Sequence, residues 1–556
     1  MSRKNLIKGG VITLICASVA LFSFRSADDK YFEVSRNIDI FSTLFRELNI
    51  YYVDPTDPSE LVRRGIDSML AGLDPYTQFI PESELEDYRY LTTGQYGGIG
   101  ALIGQRDNEV IITDPYEGFP AQKSGIIAGD KILEIDGKSV KGKAYDEVSK
   151  MLKGTPKSTV VVKVERKGEA QPIVKNIVRE EIKIKNVPYS GLLENQIGYI
   201  RLTGFTEDAG LEVKNALADL KKKSNLKGIV LDLRSNPGGL LNEAVNVVNV
   251  FVDKGQEVVS TKGKVTELNK TYRTLNSSID VTTPMVVLVN SGSASAAEIV
   301  SGSLQDLDRA VIIGQRTFGK GLVQSTRPLS YNTQLKVTTS KYYIPSGRCI
   351  QAVDYTHRNP DGSVGKVPDS LMNEFKTKKG RTVYDGGGIL PDFTMEIPEY
   401  SAISTSLITK YLLFDYATEY RIKNATIADA RTFKVDDALY ADFRNWLTSK
   451  EYDYTTESER TLAELKTQAE KEKYFDAISA QYELVKKKLA HDKSEDLSLH
   501  RIEISEFLEN EIVSRYYYQN GRIENGFTHD PEIKLASKAL NDPSVFSAIM
   551  NRSYKP

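Results

Sequence analysis

The sequence predicts a multidomain α/β protein: a helical N-terminal stretch, a β-rich module, an α/β core and a helical tail. Three observations carry this. At 556 residues the chain exceeds what one hydrophobic core serves. Apolar runs at Lys227 to Leu233, Met285 to Asn290 and Ala310 to Gly314 are separated by amphipathic helical patterns, as buried parallel strands are. Between Gln95 and Val178 the texture is instead short strands and glycine turns.

Composition narrows the function classes. The chain is 40% hydrophobic and 27% charged with a formal net charge of -2, so nucleic acid is not an expected partner. The cysteines, Cys16 and Cys349, have no Cys-x-x-Cys spacing, and the four histidines are scattered, so no metal site and no cofactor are expected. At the N-terminus Arg3, Lys4 and Lys8 precede an apolar run from Val11 to Phe24. That run falls short of the roughly 20 residues a span needs and fits a secretory signal. Its cleavage signal is weak, so residues 1–27 are read as a signal peptide or an uncleaved anchor. The body is then expected in the cell envelope, on the periplasmic side.

Residues 28–94 read as helical. Ile38, Phe41, Phe45 and Leu48 recur at helical spacing, as do Leu61, Ile66, Met69, Leu70 and Leu73 after Pro58, with Pro75 closing the second helix. Residues 95–180 hold Gly97-Gly-Ile-Gly100, an Ala128-Gly-Asp-Lys-Ile turn, a helix over Ala144 to Leu152 and a β-branched strand from Thr159. This stretch resembles a PDZ domain. Gly97, Gly98, Ile99 and Gly100 match that family's carboxylate-binding loop. Such a loop presents backbone N–H groups to a chain terminus beside a sheet edge that accepts a peptide strand.

Residues 181–398 read as α/β, with helices from Glu207 to Lys223 and Asn242 to Phe251 and a long strand from Gln334 to Ile344. Arg234-Ser-Asn-Pro-Gly-Gly239, Ser295 and Lys320 each follow a strand, where sites gather in α/β sheets. Ser295-Ala-Ala-Glu298 is a capping box, and a helix start also supplies N–H groups for an oxyanion. A serine needs a base. His357 lies in a polar loop, and His491, His500 and His529 fall in the tail. Lys320, flanked by Gly319 and Gly321, is the better candidate. To act it must be neutral, with a pKa brought from about 10.4 toward 7 or 8, which costs roughly 4 kcal/mol and is within reach of desolvation. In an extended segment Gln324 would share a face with Lys320 and orient its amine.

Ser-Ala-Ser-Ala-x-Glu at 293–298, Thr-Phe-Gly-Lys-Gly-x-Val-Gln at 317–324 and Leu-Arg-x-Asn-Pro-Gly-Gly at 233–239 resemble the carboxyl-terminal processing peptidases of family S41. The resemblance covers roughly residues 30 to 400. It implies a crotonase/ClpP-like α/β protease core with an inserted PDZ domain. It implies Ser295 as nucleophile, Lys320 as general base and Gln324 as the residue positioning the lysine. The oxyanion hole would be the backbone N–H of Ala296 with that of Gly239 or Gly238. Ala297 stands where many members carry serine. The implied activity is endopeptidase cleavage of unstructured C-terminal tails. A catalytically inactive PDZ scaffold and a Ser-His hydrolase using His357 are the alternatives. Residues 399–556 are helical, with Ile408, Leu412 and Leu413 expected in one helix, and could serve packing, an adaptor or homo-oligomerisation.

Overall fold

The computed structural model describes residues 31–359, 361–397, 399–489 and 493–555. The signal or anchor segment with Cys16, and His491 in the tail, lie outside the described residues. The chain forms two compact units, divided after Phe79.

The first unit holds a helix over 31–51 and another, Pro58–Ala71. Asp57 starts the second helix, its carboxylate receiving the N–H groups of Ser59 and Glu60 at 2.8 and 3.2 Å, with Pro58 at the first helical position. This helix ends at Gly72, ahead of Pro75. The cause is Asp74, whose side chain collects the N–H groups of Tyr76 and Thr77 at 2.8 and 2.9 Å and folds the chain into a turn first. A strand, Gln78–Ile80, follows in a stretch expected to be helical, where Gln-Phe-Ile suits an extended backbone.

The second unit is built on a six-stranded sheet: β1 (Tyr189–Leu192), β2 (Ile197–Arg201), β3 (Gly228–Asp232), β4 (Met285–Val289), β5 (Val311–Gly314) and β6 (Phe393–Thr394), side by side in chain order. β1 is antiparallel to β2, and β2 to β6 are parallel. Helices α1 (Ala209–Lys223), α2 (Leu241–Phe251) and α3 (Ala296–Asp306) make the crossovers. Crossovers are right-handed, so strands that advance in one direction place every helix on one face. That face packs Ile200, Leu231, Val287 and Ile312 against Leu217, Phe251 and Val300. The other face would be bare. It is covered by two helices from the end of the chain, Pro531–Asn541 and Pro543–Met550, which set Ile533, Leu540 and Ile549 against Tyr199, Val230, Val286 and Ile313.

A second, antiparallel sheet runs Leu322–Pro328, Gln334–Tyr343, Glu257–Gly263, Lys270–Arg273. Its last two strands were not legible in the sequence. The β-rich module has its own core around Ile112, Ile132, Val148 and Val164, and Ala101–Arg106 is the edge strand of its sheet. The chain enters and leaves the module through a ribbon, Gln95–Gly98 paired with Glu180–Lys183, as an insertion requires.

The tail packs a core of its own, including Leu413, Phe443, Leu508 and Ile512. Ile408 falls in the helix Ala402–Thr409 and Leu412 and Leu413 in the next, Leu412–Lys423, not in one helix. Tyr411, at φ 59°, breaks the turn between them. The tail also grips the β-rich module. Arg106 pairs with Asp415 at 2.9 Å, Gln122 donates to the Tyr518 hydroxyl at 3.0 Å, and Gln519 donates to Asp114 at 2.9 Å.

Candidate active site

The loops after β3, β4 and β5 converge at one end of the sheet. The loop after β3 begins at Arg234. Its guanidinium binds the fully buried Asp232 at 2.6 Å and also Asp530 and Glu532 of the tail, each at 2.6 Å. Burial alone would raise the Asp232 carboxyl, but Arg234 and Arg201 outweigh it and hold it far below the usual range. Next, buried Asn236 receives the Gly238 N–H at 2.9 Å, donates to the Leu202 carbonyl at 2.8 Å, and accepts the Ala294 N–H on its own carbonyl at 2.9 Å. This ties the glycine turn to the residue before Ser295. Gly238, at φ 96°, must be glycine, because a Cβ there would lie 2.8 Å from the Ser295 Cβ.

After β4, the Asn290 side chain accepts the N–H groups of Ser235 and Gly292 at 2.7 and 3.0 Å, binding this loop to the first. Ser295 then sits at φ 54°, ψ -112°, a strained backbone for a side-chain-bearing residue that costs on the order of 1–3 kcal/mol. The α3 start is satisfied largely without the hydroxyl. The Ser295 N–H donates to Glu298 Oε2 at 2.8 Å, and the Glu298 N–H donates to the Ser295 carbonyl at 2.8 Å. The Tyr342 hydroxyl donates to the same carbonyl at 3.3 Å, and burial, aided by nearby Glu298, keeps that phenol protonated well above its ordinary pKa.

Glu298 is the hub that sequence reasoning took for a cap alone. Fully buried, its carboxylate receives the Ser295 N–H, the Lys320 N–H at 2.9 Å, the Gly319 N–H at 2.7 Å and the Thr317 hydroxyl at 2.5 Å. One side chain thereby fixes both the serine and the lysine loop. Burial raises its pKa, and the hydrogen bonds offset this in part. Glu298 and Thr317 stand in two separate motifs, at 293–298 and 317–324, and nothing local shows that they meet.

Ser295, Ala296, Gly238, Gly239, Lys320 and Gln324 all line one cavity of about 510 Å³. The Gly238 N–H is spent on Asn236. The bridge between Gly239 and Phe205 uses the Leu240 N–H and the Gly238 carbonyl, so the Gly239 N–H makes no hydrogen bond among the described residues. Neither does that of Ala296, at the first position of α3. Of the two glycines, Gly239 is the one with a donor to give. The strand carrying Gln324 starts only at Leu322, and a register shift falls between Val323 and Gln324. The extended stretch expected from Lys320 to Gln324 is thus interrupted. Upstream of the shift, Gly319 and Gly321 are pressed against Ala352 and Gln351, where a Cβ would approach to 2.3 and 2.8 Å. The Gln324 amide donates to Thr338 at 3.2 Å. His357 is absent from the cavity lining; it lies on an exposed strand, its Nδ1 2.6 Å from Asp354.

In the β-rich module a groove runs between the edge strand Ala101–Arg106 and the helix Tyr145–Leu152, lined by Tyr96, Ile99, Leu102, Tyr116 and Tyr145. The N–H groups of Ile99 and Gly100 make no hydrogen bond among the described residues. Gly97 and Gly98 lie instead in the ribbon, paired with Glu181 and Glu180, and Gly97 is a glycine because a Cβ would meet the Gly154 carbonyl. Tyr90, on the helix Leu85–Thr93, lines both this groove and the Ser295 cavity.

Comparison with known proteins identifies the family and its domains. Residues 196–364 match peptidase family S41, residues 111–166 a PDZ domain, and residues 403–540 the "Probable PDZ-protease, C-terminal helical domain". A "Carboxy-terminal-processing protease" of Bartonella bacilliformis is 40% identical over 321 residues, covering 57% of this chain and 73% of that one. A "Probable CtpA-like serine protease" of Staphylococcus aureus is 34% identical over 406 residues, 72% of this chain and 73% of that one. Among solved structures, a photosystem II D1 C-terminal processing protease aligns over 64% of this chain and 88% of its own, with 30% identity and a TM-score of 0.35. With its PDZ domain, its α/β core and its helical C-terminal domain, the chain belongs to peptidase family S41, the carboxy-terminal-processing serine peptidases.

Proposed function

We propose that the chain is an exported endopeptidase that captures the C-terminal tails of proteins in its PDZ groove and cleaves them at Ser295. The observation that carries this is the shared cavity of Ser295 and Lys320, whose backbones are held by the same buried Glu298. The tail enters as an extended strand beside Ala101–Arg106, its carboxylate received by the N–H groups at Ile99 and Gly100. Lys320, as a neutral amine, takes the Ser295 hydroxyl proton while Oγ attacks the scissile carbonyl. Negative charge develops on the carbonyl oxygen, and the Ala296 and Gly239 N–H groups receive it. The protonated lysine then passes its proton to the leaving amine, and water hydrolyses the acyl-enzyme by the reverse relay. Gln324, anchored on Thr338, steers the amine. The basic N-terminal residues and the apolar run after them are the support for export; among the described residues no helix is long and apolar enough to cross a membrane.

Cleavage of an unfolded substrate by single variants tests the assignment. Ser295→Ala and Lys320→Ala should each lose about 10³-fold or more in kcat, Gln324→Ala less, and His357→Ala nothing. Retained cleavage in Lys320→Ala with loss in His357→Ala would favour a Ser-His hydrolase. An unmodified protein that binds tails but cleaves nothing would leave a scaffold.

A further inference from the structure

The cavity around Ser295 has a charge pattern that peptide-bond cleavage does not use. Among the described residues lining it, the charged side chains are Lys185, Lys320 and Lys336. Lys185 is exposed. Lys320 belongs to the proposed chemistry. Lys336 remains. It lies on the strand Gln334–Tyr343, opposite Thr326, and is partly buried. Burial alone sets its pKa, which falls below the ordinary lysine value. Its ammonium makes no ion pair or hydrogen bond among the described residues. A cation partly withdrawn from water without a counter-ion is costly. An anion entering the cavity removes that cost.

Its place in the hairpin sets it beside the proposed chemistry. Lys336 and Thr338 are two residues apart with regular pairing between them, so they share a face of the sheet. Thr338 is the residue on which Gln324 is anchored. Two residues of strand span roughly 7 Å, the same step an extended substrate makes in two residues. We propose that Lys336 is a specificity-determining residue that receives a carboxylate of the substrate within about two residues of the scissile bond. Two sources carry that chemistry: an Asp or Glu side chain, or the terminal carboxylate of a tail that ends close to the cut.

This rests on the assignment of Ser295 as nucleophile, and the test separates the two. Unstructured peptides are made in pairs, Glu against Gln at each position flanking the cut and free acid against carboxamide at the terminus. kcat/KM is measured for the full chain and for its Lys336→Met, Lys336→Arg and Lys336→Glu variants. The unmodified protein should favour the carboxylate member of at least one pair by about tenfold, the size of one charge-assisted hydrogen bond. Lys336→Met should lower that ratio about tenfold relative to the unmodified protein, Lys336→Arg should restore it, and Lys336→Glu should lower it further. Any demand of the PDZ groove for a free terminus is common to all four proteins and cancels when their ratios are compared. An effect confined to the Glu/Gln pairs identifies an acidic side chain, and one confined to the terminal pair identifies the chain end. If Lys336→Met turns over too slowly, binding of the same pairs to Ser295→Ala and to Ser295→Ala/Lys336→Met gives the ratio without chemistry. A ratio unchanged in Lys336→Met, or no preference in the unmodified protein, overturns the proposal. Cleavage persisting in Ser295→Ala would instead overturn the assignment beneath it.

Discussion

At the scale of single residues the site turns on Glu298. Its carboxylate is faced by the backbone N–H groups of Ser295, Gly319 and Lys320, the Thr317 hydroxyl and the nearby Tyr342 phenol. These donors need an acceptor. Burial, the largest influence, raises the pKa of Glu298 above the ordinary 4.5. The carboxylate is therefore present above that raised value and takes up a proton as pH falls through it. The sign for stability is opposite: a folded-state pKa above the unfolded one means that protonation favours the fold. Activity should fall on the acid side in two steps, the first as the proposed base Lys320 takes up a proton and the second, at lower pH, as Glu298 does, while circular dichroism on the same samples is unchanged. Glu298→Gln should abolish the second step, leave the Lys320 step in place and, by putting a donor against a donor, lower kcat about 10²-fold through misplacement of the site. A second step that persists in Glu298→Gln would assign it to another group. The sequence displayed Glu298 as half of a capping box, and that bond exists. Its bonds to 317–320 were illegible, because they depend on β4 and β5 lying side by side.

At the scale of elements, the turn after β3 shows what motif reading can and cannot deliver. Asn236-Pro-Gly-Gly239 was recognisable as a tight loop at a strand end, which placed it correctly at the mouth of the sheet. Which glycine keeps a free donor was not, since it depends on the Asn236 side chain turning back to Gly238. Gly238→Ala should be the more damaging change for the serine. Its Cβ would press on Ser295 Cβ, the Ala294 carbonyl and the Ala296 nitrogen at 2.7 to 2.9 Å, and its φ of 96° adds strain of roughly 1–3 kcal/mol. Both kcat and thermal stability should fall. Asn236→Ala should release the Gly238 N–H and the Leu202 carbonyl and cost about 1–3 kcal/mol for the groups left unpaired. A Gly238→Ala protein with full kcat would mean that the turn tolerates outward movement and does not define the oxyanion position. The same contrast holds for Lys320 and Gln324. Their spacing suits a shared strand face, yet the strand starts only at Leu322 and its register shifts before Gln324, while Ala352 and Gln351, remote in sequence, crowd the glycines on either side of Lys320.

At the scale of the molecule, the tail is part of the protease core. Strand order alone leaves one sheet face uncovered, and the helices Pro531–Asn541 and Pro543–Met550 close it. Gly228 is pressed by Leu540, where a Cβ would come within 2.8 Å of that side chain. The charged, motif-free sequence of the tail gave no sign of this role, since amphipathic helices reveal an apolar face but not what it covers. A chain ended at residue 398 should therefore aggregate and bind hydrophobic dyes, and Leu540→Ala should cost about 2–5 kcal/mol of stability. A soluble, cooperatively folded truncation would refute the packing role. The grip on Arg234 extends from the same helix to the site. Asp530 and Glu532 hold one arm of the guanidinium, Asp232 holds the other, and the glycine turn starts at the next residue. In Asp530→Asn/Glu532→Gln the buried Asp232 pair persists, so the fold should survive, while the turn loses its outer anchor. The expected result is a kcat reduced about tenfold with KM little changed, because misplacement of about 1 Å at the proposed oxyanion position weakens the transition state more than substrate binding. Equal losses in kcat and stability would mean that the acidic pair only holds the helix down.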